Sequence, residues 1–358
     1  MSSIPSLRAW VGQLLPHARR CGQEAARELL LALFFNFTTC LAQLGRQTDR
    51  ESTDESARRY LARWLDRPHW EPQAIYAALL RQAAPLLWHG GDVLLWVDFT
   101  DLEKVWNVLE IALPWQGRAL PLYRAVVHYT EPEEAREPLL RSALAFVAEH
   151  LPIPPKQVVW VMDRGFPGHW LVRALQEGGW RYVIRLTSRW KVEHSAYTGP
   201  LSEAPRVEGL VGSEPRLLAG AVLGRRGKGR NEWSVSNVVL YHGNDEPEPW
   251  YLVTSEGEAT AAVAIYDRRP QIDCEFRDVK GPCGLDRLAR WEGRERVARF
   301  LAIVAMYEWR LAWLWWKHQL PRLAREFTKY GPLAWFRLAQ EWIQRRLRLA
   351  ARSALDCL

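Results

Sequence analysis

Val93-Leu94-Leu95-Trp96-Val97 is a wholly apolar run that closes on an acid, Asp98. Val158-Val159-Trp160-Val161-Met162 repeats the pattern and closes on Asp163. Short runs without polar alternation read as strands buried on both faces. Around them, Trp106 to Leu113 and Leu120 to Tyr129 read as two more strands joined by the turn Trp115-Gln-Gly117-Arg. Glu133 to His150 and Pro167 to Glu177 read as helices, and Arg181 to Leu186 as another strand. Three strands, a helix, a strand, a helix and a strand predict an α/β core with a mixed sheet.

The segments outside that core differ in texture. Residues 1–88 read as helices, with Thr53-Asp-Glu-Ser56 as an N-terminal cap and a helical run from Gln23 to Gly45. Arg58, Arg59, Arg63 and Arg67 recur near helical spacing, as a phosphate-contacting stripe or equally as a solvated face. Residues 187–248 are rich in Gly and Pro. They carry strand candidates at Arg216 to Leu223 and Trp233 to Tyr241, around the basic turn Arg225-Arg-Gly-Lys-Gly-Arg230. Trp250 to Thr254 is a further strand, and a helix runs from Ala259 through Lys280. Ala289 to Trp316 and Leu333 to Ala351 read as long closing helices.

The chain has 358 residues, 48% hydrophobic, which is enough for a substantial core. Five irregularly spaced cysteines fit neither a disulfide framework nor a zinc pattern, so a reducing cytosol is expected. The start lacks a basic-then-apolar opening, and Glu308 and Arg310 interrupt the apolar run from Phe300 to Trp316. Neither a signal peptide nor a membrane span is expected. The net charge is +7 and the pI about 9.3, which points to an anionic partner. Residues 286–352 alone contribute +9. Twenty tryptophans are mostly core and imply no base stacking by their number.

In Tyr266-Asp-Arg-Arg269-Pro-Gln-Ile-Asp273-Cys-Glu-Phe-Arg277-Asp-Val-Lys280, a phenol, two arginines, an acid and a lysine recur along one segment. At about 100° per helical residue, Tyr266, Arg269, Asp273 and Lys280 span roughly 60° of a continuous helix, and Arg277 joins them. Ile272, Phe276 and Val279 gather on the adjoining flank to seat the helix. Such a polar face suits a metal ion and DNA phosphates, although a solvated, salt-bridged face is the commoner case. Asp98 and Asp163 at two strand ends, with Asp273, make a three-carboxylate set. Three acids without a suitable histidine or cysteine favour Mg²⁺ or Mn²⁺. Two such ions can activate a water or 3′-hydroxyl and stabilise the leaving oxygen in phosphoryl displacement.

From about Asp92 to Lys280 the chain resembles insertion-sequence transposases of the D-D-E class, with a ribonuclease H-like core and the signature Tyr-x2-Arg-x3-Glu-x6-Lys. The resemblance is carried by Val97-Asp-Phe-Thr100, Gly117-Arg-Ala-Leu-Pro121, Val161-Met-Asp-Arg-Gly-Phe166, Trp250 to Thr254 and the Tyr266 to Lys280 segment, in that order. It implies that Asp98, Asp163 and Asp273 are the catalytic metal ligands for two Mg²⁺ or Mn²⁺ ions. It implies that Tyr266, Arg269 and Lys280 grip DNA phosphates, and Trp250 takes the place of a residue that stacks on a flipped base. An ordinary core role is the rival for Trp250. Aspartate replaces the signature glutamate at Asp273, and Pro270 removes a backbone donor within the signature, so that the helix kinks or starts afresh there. Glu275 is no substitute on a regular helix, lying about 140° from Lys280 against about 20° for Asp273.

The expected organisation is a helical DNA-end-binding domain at 1–88, a catalytic core at 89–186 and 249–285, a β-rich insertion at 187–248 and a basic helical region at 286–358. The resemblance implies a cut-and-paste transposase, with transposon terminal inverted repeats and target DNA as partners and a homodimer in the synaptic complex. A cytoplasmic, nucleoid-associated location without membrane attachment is expected. The rivals are a ribonuclease H-like nuclease that cuts without joining, and a catalytically decayed transposase-derived DNA-binding protein.

Overall fold

A computed structural model describes residues 6–47, 53–67, 70–87, 91–115, 117–132, 135–166, 168–204, 214–227, 230–244, 246–280, 284–317 and 339–345. The elements in chain order are α1 (Leu7–Leu14), α2 (Arg20–Phe35), α3 (Leu41–Gly45), α4 (Asp54–Asp66), α5 (Pro72–Leu87), β1 (Val93–Leu102), β2 (Trp106–Trp115), β3 (Arg118–His128) and α6 (Arg136–His150). There follow β4 (Val158–Met162), α7 (His169–Glu177), β5 (Arg181–Arg185), β6 (Lys191–His194), β7 (Tyr197–Pro200), β8 (Arg216–Gly227), β9 (Arg230–Tyr241), β10 (Trp250–Thr254), α8 (Ala259–Tyr266), α9 (Gln271–Lys280) and α10 (Arg294–Lys317).

The chain divides into two compact units, and β1 runs through both. One comprises Leu87–Asp98 and Ile153–Ile272; the other comprises Met1–Leu86, Phe99–Pro152 and Asp273–Leu358. The strand order is β3-β2-β1-β4-β5-β10-β9-β8-β6-β7. β1, β4 and β5 are parallel neighbours, while β2–β3 and all pairs from β5–β10 onward for which registers are resolved are antiparallel. This is the mixed α/β sheet with flanking helices that the strand and helix pattern implied.

In the first unit, Val93–Val97 and Val158–Met162 are buried at every position, as two-sided burial of a parallel core requires. The stretch 187–248 contributes β6 to β9, which continue the same sheet beyond β10 instead of standing apart. β6 and β7, four residues each, escaped the sequence reading because they are too short to show a period of two. The side chains of the basic turn at 225–230 lie outside the described residues.

In the second unit, β2 and β3 form a hairpin that turns at Gly117, whose φ of 78° favours a residue without Cβ. α10 packs on β3, and the Trp309 indole donates to the Pro121 carbonyl at 2.6 Å. Thr53 caps α4 as expected, its hydroxyl accepting from the Ser56 amide at 3.3 Å. Ala57, Leu61, Trp64 and Leu65 form the buried stripe of α4, leaving Arg58 and Arg59 outside and paired with Glu55.

Two expected helices are interrupted. The run from Gln23 to Gly45 breaks at Asn36–Cys40, where the Thr38 hydroxyl accepts from the Cys40 amide and donates to Gln43, side-chain bonds that compete with the helical ladder. The helix expected from Ala259 through Lys280 ends at Tyr266, turns through Asp267–Pro270 and restarts at Gln271. Pro270 has no N–H to give to a preceding turn and disfavours helical backbone at Arg269. Much of the closing helix expected at 333–351, and of the basic segment around it, lies outside the described residues. No described helix is long and apolar enough to cross a membrane.

Candidate active site

β1 and β4 pair in parallel as far as Val97 opposite Met162. Asp98 and Asp163 are the next residues on the two strands. Neighbouring strands run about 4.8 Å apart, so two carboxylates at one register level repel unless a cation joins them. Asp98 is not at a strand end, as its apolar run suggested, because β1 continues to Leu102. It stands where β1 loses its parallel partner, which β4 leaves by ending at Met162.

The joining cation is Arg269. Its guanidinium makes a short hydrogen bond to Asp98 and stands 3.8 Å from Asp163 Oδ2. The other oxygen of Asp163 accepts from the Arg164 amide at 2.7 Å and from the Tyr266 hydroxyl at 3.0 Å. Tyr266 is buried. Burial first, and then the charge of Asp163, push its hydroxyl well above the ordinary tyrosine range, so it stays a proton donor. The side chains of Asp98, Asp163 and Arg269 retain 14%, 28% and 14% exposure, so the cluster opens to solvent.

Trp250 sits behind Tyr266. Its ring meets the tyrosine edge-on at 4.9 Å and Tyr241 at 5.5 Å, and its indole N–H donates to Glu246 at 3.0 Å. At 5% exposure its ring is buried in this structure. Arg164 and Arg185 were not singled out in the sequence. Arg164 pairs with Glu248 at 2.8 Å, and Arg185 approaches the same carboxylate at 3.4 Å. Arg185 also draws the Tyr266 pKa downward, against the burial effect. The available signal was their position, one directly after Asp163 and the other closing β5.

The break at Pro270 separates the five-residue stripe. Tyr266 and Arg269 belong to the unit holding Asp98 and Asp163; Asp273, Arg277 and Lys280 belong to the other. Within α9 these last three still share a face, because offsets of 4 and 7 stay within about 60°. Asp273 and Arg277 are exposed, while Ile272, Phe276 and Val279 are buried as expected. Lys280 donates to the Asp101 carbonyl at 2.6 Å. The side chain of Glu275 lies outside the described residues. Among the described residues no group of three metal-ligating side chains gathers. Asp98 and Asp163 nonetheless fit a hard divalent ion as a pair: both are carboxylates, partly open, and already share a positive charge.

Residues 136–307 match the family model of the transposase DDE domain. That match supports a DDE-type transposase. It spans Asp163, Trp250, Tyr266, Arg269, Asp273 and Lys280, and begins after Asp98. No curated protein matches the chain. Among solved structures, a piggyBac transposase synaptic complex with hairpin DNA is similar with a TM-score of 0.41 and 12% identity, over 90% of this chain and 73% of that one.

Proposed function

We propose that the chain is a cut-and-paste DNA transposase that cleaves at the ends of a mobile element and joins the freed strand to target DNA. The observation that carries this reading is the carboxylate pair Asp98 and Asp163 bridged by Arg269, with Tyr266 on the second acid. Asp98 and Asp163 would hold Mg²⁺ or Mn²⁺, with Asp273 as the further donor. Bound there, two such ions would activate a water or 3′-hydroxyl and offset charge on the leaving oxygen.

The chain's own residues supply the remaining parts. The Arg164 amide fixes the orientation of the Asp163 carboxylate. Tyr266, kept protonated by burial, donates its hydroxyl hydrogen to Asp163, and Trp250 packs against the Tyr266 ring. Arg269, Arg277 and Lys280 would be the phosphate-binding cations, with Arg269 freed for that role if a divalent ion were held by Asp98 and Asp163. DNA ends and target DNA are the partners, with two copies pairing the ends in the synapse, in the cytoplasm at the nucleoid. The shortened acid at Asp273 and the helix break at Pro270 favour one rival, a transposase-derived protein that binds DNA without cutting it.

Incubating the protein with DNA that carries the element boundary, in Mg²⁺ or Mn²⁺, separates these readings. A transposase cuts at the boundary, and Asp98→Asn or Asp163→Asn abolishes cutting while leaving end binding nearly intact. Binding without cutting in either metal selects the decayed protein, and cutting without joining selects the nuclease.

A further inference from the structure

A second constellation lies in the helical N-terminal region, wholly within one unit. A cavity of about 60 Å³ is lined by Arg19, Cys21, Gly22, Trp64, Arg67 and Trp70, among others. Its floor is the first turn of α2, a sixteen-residue helix with no acid in that turn and no side-chain cap. The leading N–H groups of a helix have no intrahelical acceptor and carry the positive end of its dipole. Trp64 faces this turn. Its indole nitrogen lies 3.5 Å from where a Cβ on Gly22 would stand, and the residue is only 4% exposed. Stacking on Trp70, at 4.7 Å and 22°, holds the ring in that orientation. An indole N–H can only donate, and here it has no acceptor among the described residues. Trp70, which also lines the cavity, carries a fully buried indole N–H with no partner among the described residues; leaving a buried donor unpaired is costly, so a ligand able to accept from it is favoured.

The cations at the cavity point the same way. Five arginines of this region are matched by acids, Arg8 and Arg27 by Glu24, Arg46 by Asp54, Arg58 and Arg59 by Glu55, while Arg63 bonds only the Arg59 carbonyl among the described residues. Arg19 and Arg67 are exposed and have no carboxylate partner among the described residues, and no acid lines the cavity. The Gly22 amide is already held by the Arg19 carbonyl at 2.7 Å, while the Cys21 amide, the indole N–H groups and two guanidinium groups belong to residues that line the cavity. That donor set selects a tetrahedral oxyanion.

We infer that this cavity seats a backbone phosphate of bound DNA, a contact by which the N-terminal helices grip the duplex. The ligand class rests on the DNA reading above; inorganic phosphate shares the chemistry and provides a separate probe. Gly22→Ala tests the site gently. The added methyl would meet Trp64 at 3.5 Å and Ala18 at 3.7 Å, ordinary contacts that preserve the fold while capping the indole N–H. The full-length protein, Gly22→Ala, the double variant Arg19→Gln/Arg67→Gln and the paired-cation control Arg58→Gln are titrated with duplex DNA across a salt series. Thermal stabilisation by inorganic phosphate is measured in parallel.

The expected result is roughly tenfold weaker DNA binding by Gly22→Ala and by the double variant. The log–log salt slope of the double variant should fall by about one, the loss of one phosphate contact. Arg58→Gln should bind like wild type, and phosphate should stabilise wild type but not Gly22→Ala. If phosphate behaves this way while DNA affinity and slope stay at wild-type values, the cavity is an anion site and its assignment to DNA is overturned. If neither probe distinguishes the variants, the site itself is overturned. A wild-type chain that does not bind DNA refutes the transposase reading, and the phosphate arm still decides the cavity.

Discussion

Arg124 and Arg269 each lie between two carboxylates, and their surroundings give them opposite uses. Arg124, on β3, meets Glu110 at 2.5 Å and Glu308 at 3.1 Å, with all three side chains at most 2% exposed. Arg269 meets Asp98 and Asp163 on a turn, with those side chains 14% to 28% exposed. The first arginine is fixed in a strand ladder under α10, so its guanidinium has no route to water. The second hangs from the turn between α8 and α9, outside any strand ladder. A buried triad can only hold elements together; a half-open one can exchange its cation.

The contrast is sharpest in stability. Arg124→Ala would leave Glu110 and Glu308 buried without a counter-charge, and should cost about 3–5 kcal/mol in urea unfolding. Arg269→Ala should cost less than Arg124→Ala in the same assay, because its carboxylates keep some contact with water. Equal losses would erase the distinction between the two triads.

Arg269→Ala should instead act on metal and DNA. Removing the tethered cation should tighten Mn²⁺ binding about tenfold and weaken binding of DNA ends, each change being about 1.4 kcal/mol. Unchanged metal affinity would mean that the guanidinium does not compete with the ion.

Asp273 offers a finer test, since it stands across the Pro270 break from Arg269. Asp273→Glu should preserve or raise cleavage, Asp273→Ala should eliminate it, and Glu275→Ala should do little. An inactive Glu275→Ala beside an active Asp273→Ala would move the third ligand to Glu275. Thr53→Ala should cost about 1 kcal/mol for the lost α4 cap, with cleavage intact.

What could be read from the sequence was whatever local patterning determines. Val93–Val97 and Val158–Met162 were legible because burial on both faces leaves no polar residue to mask the run. The Thr53 cap and the buried flank of α9 follow from spacing alone. Asp98 and Asp163 were legible as a pair because both acids directly follow those runs. The bridging by Arg269 was not legible: it depends on tertiary packing that sets the turn after α8 beside two strand positions more than a hundred residues earlier. Helical spacing had instead placed Arg269 on one face with Asp273. The burial of Trp250 behind Tyr266 was likewise settled by packing, since a tryptophan in an apolar strand reads the same whether its ring is covered or open. The cavity at Trp64 joins residues of α2 with residues at the end of α4, and no local pattern connects them.

The claim most exposed to test is that Asp98 and Asp163 accept a divalent ion in place of Arg269. Mn²⁺ binding, followed by loss of the free-ion electron paramagnetic resonance signal, measures it without requiring turnover. Wild type should bind Mn²⁺ saturably, Arg269→Ala more tightly, and Asp98→Asn/Asp163→Asn not at all at this site. Mn²⁺ uptake that is identical in all three proteins would contradict it.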